Sequence, residues 1–152
     1  MVFVTAPATQ KEIEENKPIT GHGEKTLNKL LKLAGIDKRK VYITNVVKYT
    51  VPGRVHTPKE IKSSVPFLKE EIKVIQPQIV VTLGITALNG IGLRQPLTNV
   101  RGKSFNFGSY DLLPTHHPES ITKNPGLQLE LEADFLKLKE LLKTIKERPI
   151  EA

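Results

Sequence analysis

The amino-acid sequence predicts an α/β fold in which a mainly parallel sheet is covered by helices on both faces. Apolar runs typical of strands alternate along the chain with segments whose leucines recur at helical spacing. Each run is nearly all apolar, as expected for strands of a parallel sheet buried between helices. The 152 residues, of which 38% are hydrophobic, suffice for one domain with a core, and we expect residues 1–152 to form it.

The amino-terminal third is predicted to contain one strand, one long loop and one helix. Residues 1–5, MVFVT, form an apolar run rich in β-branched residues that ends at a proline-containing loop. Residues 8–23 are polar and include one proline and two glycines, which predicts a long loop of the kind that is often functional. From Glu24 onward, leucines at helical spacing predict a helix that ends just before Gly35.

The rest of the chain continues this alternation. The helix predicted at 57–75 has the clearest start, because Thr57, Pro58 and Glu60 combine an N-cap, a first-turn proline and a capping-box glutamate. The predicted elements are, in order, a strand at 40–47, the helix at 57–75, a strand at 78–84 leading directly into a short helix, a turn flanked by short strands at 100–114, and a helix at 127–146.

Composition narrows the classes of function. The absence of cysteine excludes disulfides, thiolate catalysis and iron–sulfur clusters, so any metal would be held by histidines, carboxylates and carbonyls. The net charge of +7 favours an anionic partner, with nucleic acid first. No apolar run approaches membrane-spanning length and no secretory leader is recognisable, so we expect a cytoplasmic protein without a membrane partner.

Candidate site residues should gather where the parallel strands end, because ligands of such sheets bind beyond the carboxyl ends of the strands. The segments concerned follow Thr5, Val47 and Leu83 and surround His116 and His117.

Asn45 is a polar residue near the end of a buried strand. A buried carboxamide must find partners, since an unsatisfied one costs roughly 1–3 kcal/mol. Asn45 therefore either hydrogen-bonds neighbouring loop backbone or presents its donor–acceptor pair to a ligand such as a nucleobase. From the pattern alone both interpretations stay open.

The adjacent His116 and His117 should point to opposite faces if the segment is extended. This argues against a metal site built from the pair, and no H-x-H or H-x-x-x-H spacing offers an alternative. We expect one of the two histidines at a site and the other packed or exposed. The sequence also lacks a Walker or dinucleotide phosphate loop and a G-x-S-x-G elbow.

Short motifs are spread along nearly the whole chain. They are VTAPA at 4–8, NKPITG at 16–21, KLAGI at 32–36, VYITNVVK at 41–48, TPKEI at 57–61, PFLKEEI at 66–72, VVTLG at 80–84, PTHHPES at 114–120 and KNP at 123–125. In order and spacing these motifs resemble those of the uracil-DNA glycosylase superfamily, closest to its bacterial and archaeal family four. The resemblance implies a three-layer α/β/α sandwich around a four-stranded, mainly parallel sheet.

By this resemblance the protein is a DNA glycosylase, which flips a deaminated base out of DNA and hydrolyses its N-glycosidic bond. Asn45 would read the Watson–Crick edge of the flipped base, and His117 would stabilise the departing base anion. The remaining implied contacts are Ala6, Pro7 and Ile19 to the base, and Arg54, Pro118, Glu119, Ser120 and Lys123 to DNA, with residues 119–123 pushing into the gap that the flipped nucleotide leaves.

The sequence departs from the family pattern at several positions. Thr5 replaces the acidic residue of the first motif, so either Thr5 itself takes its catalytic role or Glu12 or Glu14 supplies the missing carboxylate. Ile19 replaces the phenylalanine that stacks on the base, and Glu119 replaces the serine of the H-P-S motif. Two of the four cluster cysteines of family four correspond to Tyr49 and Ser64, and the chain begins after the other two, so no cofactor is expected.

Two other hypotheses remain beside a monomeric DNA glycosylase. The substitutions at Thr5, Ile19 and Glu119 are also compatible with a weakly active or inactive relative that serves as a DNA- or partner-binding module. A metal-dependent hydrolase would have to use His22, His56 and His117.

Overall fold

Helices and strands alternate along most of the chain in the computed structural model, which describes residues 1–49 and 55–147. The strands are β1 (Val2–Thr5), β2 (Tyr42–Asn45), β3 (Ile79–Leu83), β4 (Phe105–Asn106) and β5 (Asp111–Thr115). The helices are α1 (Gln10–Glu15), α2 (Gly21–Leu33), α3 (Pro58–Ile75), α4 (Ile85–Gly90), α5 (Leu97–Val100) and α6 (Leu127–Glu147), with short 3-10 helices at Lys38–Lys40 and Pro118–Thr122.

The strands form one sheet in the order β2-β1-β3-β5-β4. All neighbouring pairs are parallel except β4 and β5, which are antiparallel. This confirms the mainly parallel sheet, and the two-residue β4 adds a fifth strand at its edge. Because Thr5 lies opposite Asn45 and Leu83 lies opposite Thr115, the carboxyl ends of the four parallel strands meet at one edge.

Two apolar cores hold helices against the two faces of the sheet. Phe3 of β1 packs with residues of α2 and α6, whereas its neighbours Val2 and Val4 pack with residues of α3, α4 and α5. This alternation follows from the two-residue period of a strand. Burial of each large side chain stabilises the fold by about 1.5–3 kcal/mol. The predicted three-layer sandwich is therefore confirmed.

The prediction of an uninterrupted loop at 8–23 is wrong. Helix α1 lies within it, and α2 begins at Gly21 rather than at Glu24. A capping box stabilises the start of α1. The Thr9 hydroxyl accepts from the Glu12 backbone N–H at 3.3 Å, and the Glu12 carboxylate accepts from the Thr9 N–H at 3.0 Å. These bonds satisfy donors that a helix start leaves unpaired.

The other predicted helices are found close to their expected bounds. Helix α3 starts at Pro58 behind the predicted capping box of Thr57, and α6 spans Leu127–Glu147. Gly35 follows α2 with a φ of 68°, a conformation that favours glycine. Among the described residues, none of the helices combines the length and apolarity needed to cross a membrane.

Candidate functional site

Asn45 is buried at the end of β2 and braces two loops. Its side-chain Nδ2 donates to the carbonyl oxygens of Ala6, at 2.9 Å, and of Pro18, at 2.8 Å. Only the nitrogen of the amide can donate, so two carbonyl partners determine which way the side chain is turned. No hydrogen bond to Oδ1 occurs within the described parts of the chain. Asn45 therefore bonds loop backbone and still has an acceptor available.

A cavity of about 370 Å³ opens beside Asn45. Glu12 lines it, and burial raises the pKa of this carboxyl above its usual range, against the lowering effect of its bonds to Thr9. The negative charge of Glu119 raises the pKa further. The other lining residues come from the loop after β1, helix α1 and strand β2: Ala8, Ile13, Asn16, Lys17, Pro18, Tyr42, Ile43, Thr44 and Lys48.

Strand β2 is held beside this cavity by the Glu71 carboxylate of α3. Glu71 accepts from the hydroxyls of Tyr42 (2.6 Å) and Thr44 (2.8 Å) and from the ammonium of Lys48 (2.9 Å). Burial alone would favour the neutral carboxyl, but these donors prevail and lower the pKa of Glu71. Lys48 also donates to the backbone oxygen of Asn45 at 3.3 Å, so the network reaches the candidate site.

His117 caps the 3-10 helix Pro118–Thr122. The Glu119 backbone N–H donates to its Nδ1 at 3.1 Å, so the neutral ring carries its hydrogen on Nε2. Burial lowers the pKa of His117, and the charge of Glu119 partly opposes this shift. At neutral pH, His117 thus presents an uncharged imidazole whose Nε2–H is a donor.

Gly84 allows His117 to lie over the end of β3. A Cβ on Gly84 would stand 3.3 Å from the His117 Cβ, and the glycine has a φ of 93°. Gly84 was not among the predicted site residues, although a glycine directly after a buried strand indicates such a close approach. His117 lines a second cavity, of about 320 Å³, with Ala6, Leu83, Gly84, Ile85, Thr86, Leu97, His116 and Ser120.

His116 turns away from His117 toward helix α6. Its Nε2 lies 2.7 Å from a carboxylate oxygen of Glu130, and only 7% of the residue is exposed. Glu130 also pairs with Arg101, which reaches the buried Asp134. Burial raises the pKa of the Asp134 carboxyl, although Thr115 and Arg101 act in the opposite direction.

The other expected base contacts occupy varied surroundings. Thr5 is 1% exposed and Ile19 is 3% exposed, with Ile19 packed into the apolar core that α2 and α6 share. Ala6 lines the His117 cavity, and Pro7 beside it is half-buried. Ile19 lines neither cavity.

The expected DNA contacts lie in or next to the 3-10 helix. Glu119 and Lys123 are exposed and Pro118 is buried. The Ser120 hydroxyl donates to the backbone oxygen of His117. Arg54 lies outside the described residues.

The two candidate reactive side chains line separate cavities. Asn45 and Ala8 belong to one, whereas His117 and Ala6 belong to the other. The segment from Ala6 to Ala8 therefore runs between the two cavities. Ala6 is linked to both of them, because it lines the His117 cavity and its carbonyl oxygen accepts from Asn45.

The positions of the family-four cluster do not fit an iron–sulfur group. Tyr49 stacks edge-on against His56, with ring centroids 5.0 Å apart, and the Ser64 hydroxyl donates to the Glu60 backbone oxygen at 3.2 Å. Neither residue supplies a thiolate. Over residues 1–49 and 55–147 no group of three or more histidines and carboxylates could hold a metal, so the metal site of His22, His56 and His117 is not formed.

Comparisons with known proteins show which family the chain resembles. The family model of the Uracil DNA glycosylase superfamily matches residues 1–143. The Type-4 uracil-DNA glycosylase of Sulfurisphaera tokodaii is 34% identical over 99% of this chain and 74% of its own length. That of Thermotoga maritima is 34% identical over 94% of this chain and 78% of its own length. A DNA polymerase of Bacillus phage SP01 is 36% identical over 77% of this chain and 13% of its own length.

Proposed function

We propose that this chain, which belongs to the uracil-DNA glycosylase superfamily and is a DNA glycosylase, flips uracil or another deaminated base from DNA and excises it. Its place would be in base excision repair, as a single-domain cytoplasmic monomer. The observation that carries the proposal is the pairing of a fixed acceptor on Asn45 with a fixed donor on His117 at one edge of the sheet.

Asn45 supports recognition of deaminated bases through its free acceptor. Deamination replaces the ring-nitrogen lone pair of cytosine or adenine by an N–H, which is a donor. The Asn45 Oδ1 can accept from this N–H, but it would repel the lone pair of the parent base. Because both hydrogens of its amide are bonded to Ala6 and Pro18, the side chain cannot turn over to accept cytosine without losing two bonds.

His117 supports the bond-breaking step through its donor. As the bond between the sugar carbon and the base nitrogen breaks, its electron pair moves onto the base and negative charge develops on the base oxygen. A neutral Nε2–H aimed at this oxygen stabilises the charge as it forms, and removal of one such donor typically costs 10²–10³ in rate. Water then adds to the sugar carbon and releases a proton.

The base would lie across Ala6 and Pro7, the strip between the two cavities. From there it can contact the acceptor of Asn45 on one side and the donor of His117 on the other. This assigns Ala6 and Pro7 to the floor of the base site, whereas Ile19 is buried in the apolar core that α2 and α6 share.

Glu12 is the better candidate for receiving the proton from water, because Thr5 is almost inaccessible. The Glu12 carboxyl lines the Asn45 cavity, and its raised pKa makes it a stronger base than an exposed glutamate. Glu12→Gln should therefore lower kcat, with Glu14→Gln on the same helix as the matched control. Equal rates for both variants would remove Glu12 from the mechanism.

The proposal is tested with single- and double-stranded oligonucleotides that carry uracil, hypoxanthine, xanthine or N3-methyluracil. We expect release of the bases that keep the ring N–H and much slower release of N3-methyluracil. Asn45→Ala and His117→Ala should each lower the rate about 10²-fold or more, whereas His22→Ala, at an exposed histidine, should not. A folded protein that binds these DNAs and releases no base would instead be a binding module.

A further inference from the structure

A network of polar and charged side chains lies behind the histidine pair, between the end of β5 and helix α6. The buried Asp134 carboxylate accepts from the Thr115 hydroxyl at 2.6 Å and from the Arg101 guanidinium at 2.8 Å. Arg101 also pairs with Glu130 at 3.3 Å, and Glu130 contacts the His116 imidazole at 2.7 Å. We call these five residues the Arg101–Asp134 network.

Stability alone does not account for this network. Removing two charges from water is costly, and replacing a buried ion pair by apolar residues of similar volume is often neutral or stabilising. Asp134 has no exposed side-chain surface, and it lies on the apolar stripe of α6 between Leu131 and Leu138. An apolar side chain at this position would continue the core.

The network fixes the backbone that leads into His117. The Gly102 N–H, next to Arg101, donates to the Pro114 oxygen at 2.7 Å, and the Thr115 oxygen accepts from the Gly84 N–H at 2.9 Å. The end of β5 is thus held by three chain segments: Gly102 and Gly84 through backbone bonds, and α6 through the bond of Asp134 to the Thr115 hydroxyl. His117 follows two residues after Thr115.

We propose that the Arg101–Asp134 network positions His117, so that its Nε2–H is directed at the leaving base; this rests on the proposed glycosylase function. Asp134 and Arg101 are positioning residues, since they act through Thr115 and His116 and touch no substrate. The directional hydrogen bonds of the network hold the end of β5 in a single arrangement. Apolar packing has no such directionality and would not specify that arrangement.

The test is the double variant Arg101→Met/Asp134→Leu, which removes both charges of the ion pair. Glu130 keeps its contact with His116, whereas the buried Thr115 hydroxyl loses its acceptor. We expect a urea midpoint close to that of the wild-type protein, because the apolar side chains remove the desolvation cost of the charges while the Thr115 hydroxyl loses its acceptor. We also expect a kcat for uracil release that is about 10- to 100-fold lower and a little-changed KM. A misplacement of about 1 Å at a reacting group can cost 10²-fold. The control is Asp37→Asn/Arg39→Met, at an exposed pair before β2, which should keep wild-type kcat.

A spectroscopic readout separates this proposal from the proposed function. The imidazole ¹⁵N spectrum, assigned by the loss of signals in His117→Gln, should show the Nε2–H tautomer of His117 in the wild-type protein. A mixture of tautomers is expected in the double variant, because the Glu119 N–H no longer holds Nδ1. Wild-type kcat, or an unchanged His117 tautomer, in the double variant would overturn the positioning role.

Two further outcomes are also decisive. If the wild-type protein releases no base, the proposed function fails, and the His117 tautomer alone then decides the positioning role. If the double variant does not fold, Thr115→Val replaces it, because this change removes one hydroxyl and keeps the ion pair. We expect this variant to lower kcat by a smaller factor and to shift the His117 tautomer in the same direction.

Discussion

Gly102 lies against the buried Asp134 carboxylate, and its replacement by alanine should destabilise the fold more than a glycine conformation alone explains. A Cβ at this position would overlap Asp134 Oδ1 and stand 3.2 Å from Asp134 Cγ. Gly35 provides a matched comparison, since its φ of 68° is close to the 73° of Gly102 and a Cβ there would meet nothing within 4 Å.

The expected magnitudes follow from this geometry. In both variants the alanine must adopt a left-handed backbone conformation, which lowers the free energy of unfolding by about 1–2 kcal/mol. In Gly102→Ala the Asp134 carboxylate must also move and lose its bond to Arg101 or to Thr115. A bond to a charged group is worth about 1.5–3 kcal/mol, and water cannot replace it at a fully buried side chain. Gly102→Ala should therefore cost about 2.5–5 kcal/mol.

Urea and thermal unfolding of the two variants measure the difference directly. The smaller unfolded-state entropy of alanine is common to both variants and cancels in the comparison. The additional loss of about 1.5–3 kcal/mol in Gly102→Ala should lower its Tm by roughly 3–12 °C more than that of Gly35→Ala. Equal losses in the two variants would refute the reasoning, because Asp134 would then not be held in place by its partners.

Three further predictions concern charge and packing around the site. Glu119→Gln should bind DNA several-fold more tightly, because an exposed negative charge is removed beside the proposed DNA contacts. Titration at several salt concentrations measures this affinity, with Glu140→Gln on α6 as the control, and equal affinities would contradict the prediction. Glu71→Gln should destabilise by about 1–3 kcal/mol at pH 7. Folding lowers the pKa of Glu71, so this stabilisation is fully present above the pKa of the unfolded state and should disappear as the pH falls through the lower pKa of the folded state. A difference in urea midpoints between Glu71→Gln and wild type that does not change with pH would refute this prediction. Gly90→Ala should lower the free energy of unfolding, measured in urea, by about 1–3 kcal/mol, because its Cβ would overlap the Val46 side chain. An unchanged midpoint would contradict this prediction and would mean that the Val46 side chain can move aside.

Local signals made most of the fold predictable. Buried strands leave apolar runs in the sequence, and the capping box of Thr57 marks the start of α3. Helix α1 was missed because none of its residues is buried, so it leaves no apolar stripe. The one signal it does leave is the Thr9–Glu12 capping box, which has the same spacing as the one at Thr57.

The Arg101–Asp134 network was not predictable in the same way. Arg101 and Asp134 are 33 residues apart in sequence, and each resembles the many surface charges of a basic chain. Only tertiary packing brings them together. Asp134 nevertheless leaves a trace, because it stands three residues after Leu131 and four before Leu138, where an apolar residue would continue the stripe of α6.

The candidate site uses the backbone to assign hydrogen-bonding roles. Asn45 places both of its donors on carbonyl oxygens of the two loops that flank α1 and keeps an acceptor, whereas His117 places its acceptor on a backbone N–H and keeps a donor. In water each side chain could serve in either role, so a base could be bound in more than one way. With the backbone bonds in place, only a ligand that offers a donor to Asn45 and an acceptor to His117 is matched on both sides. Uracil has both groups, and the replacement of an acidic residue by Thr5 leaves this matching intact, since Thr5 takes no part in these bonds. We therefore expect the substitution at Thr5 to affect the activation of water more than the recognition of the base.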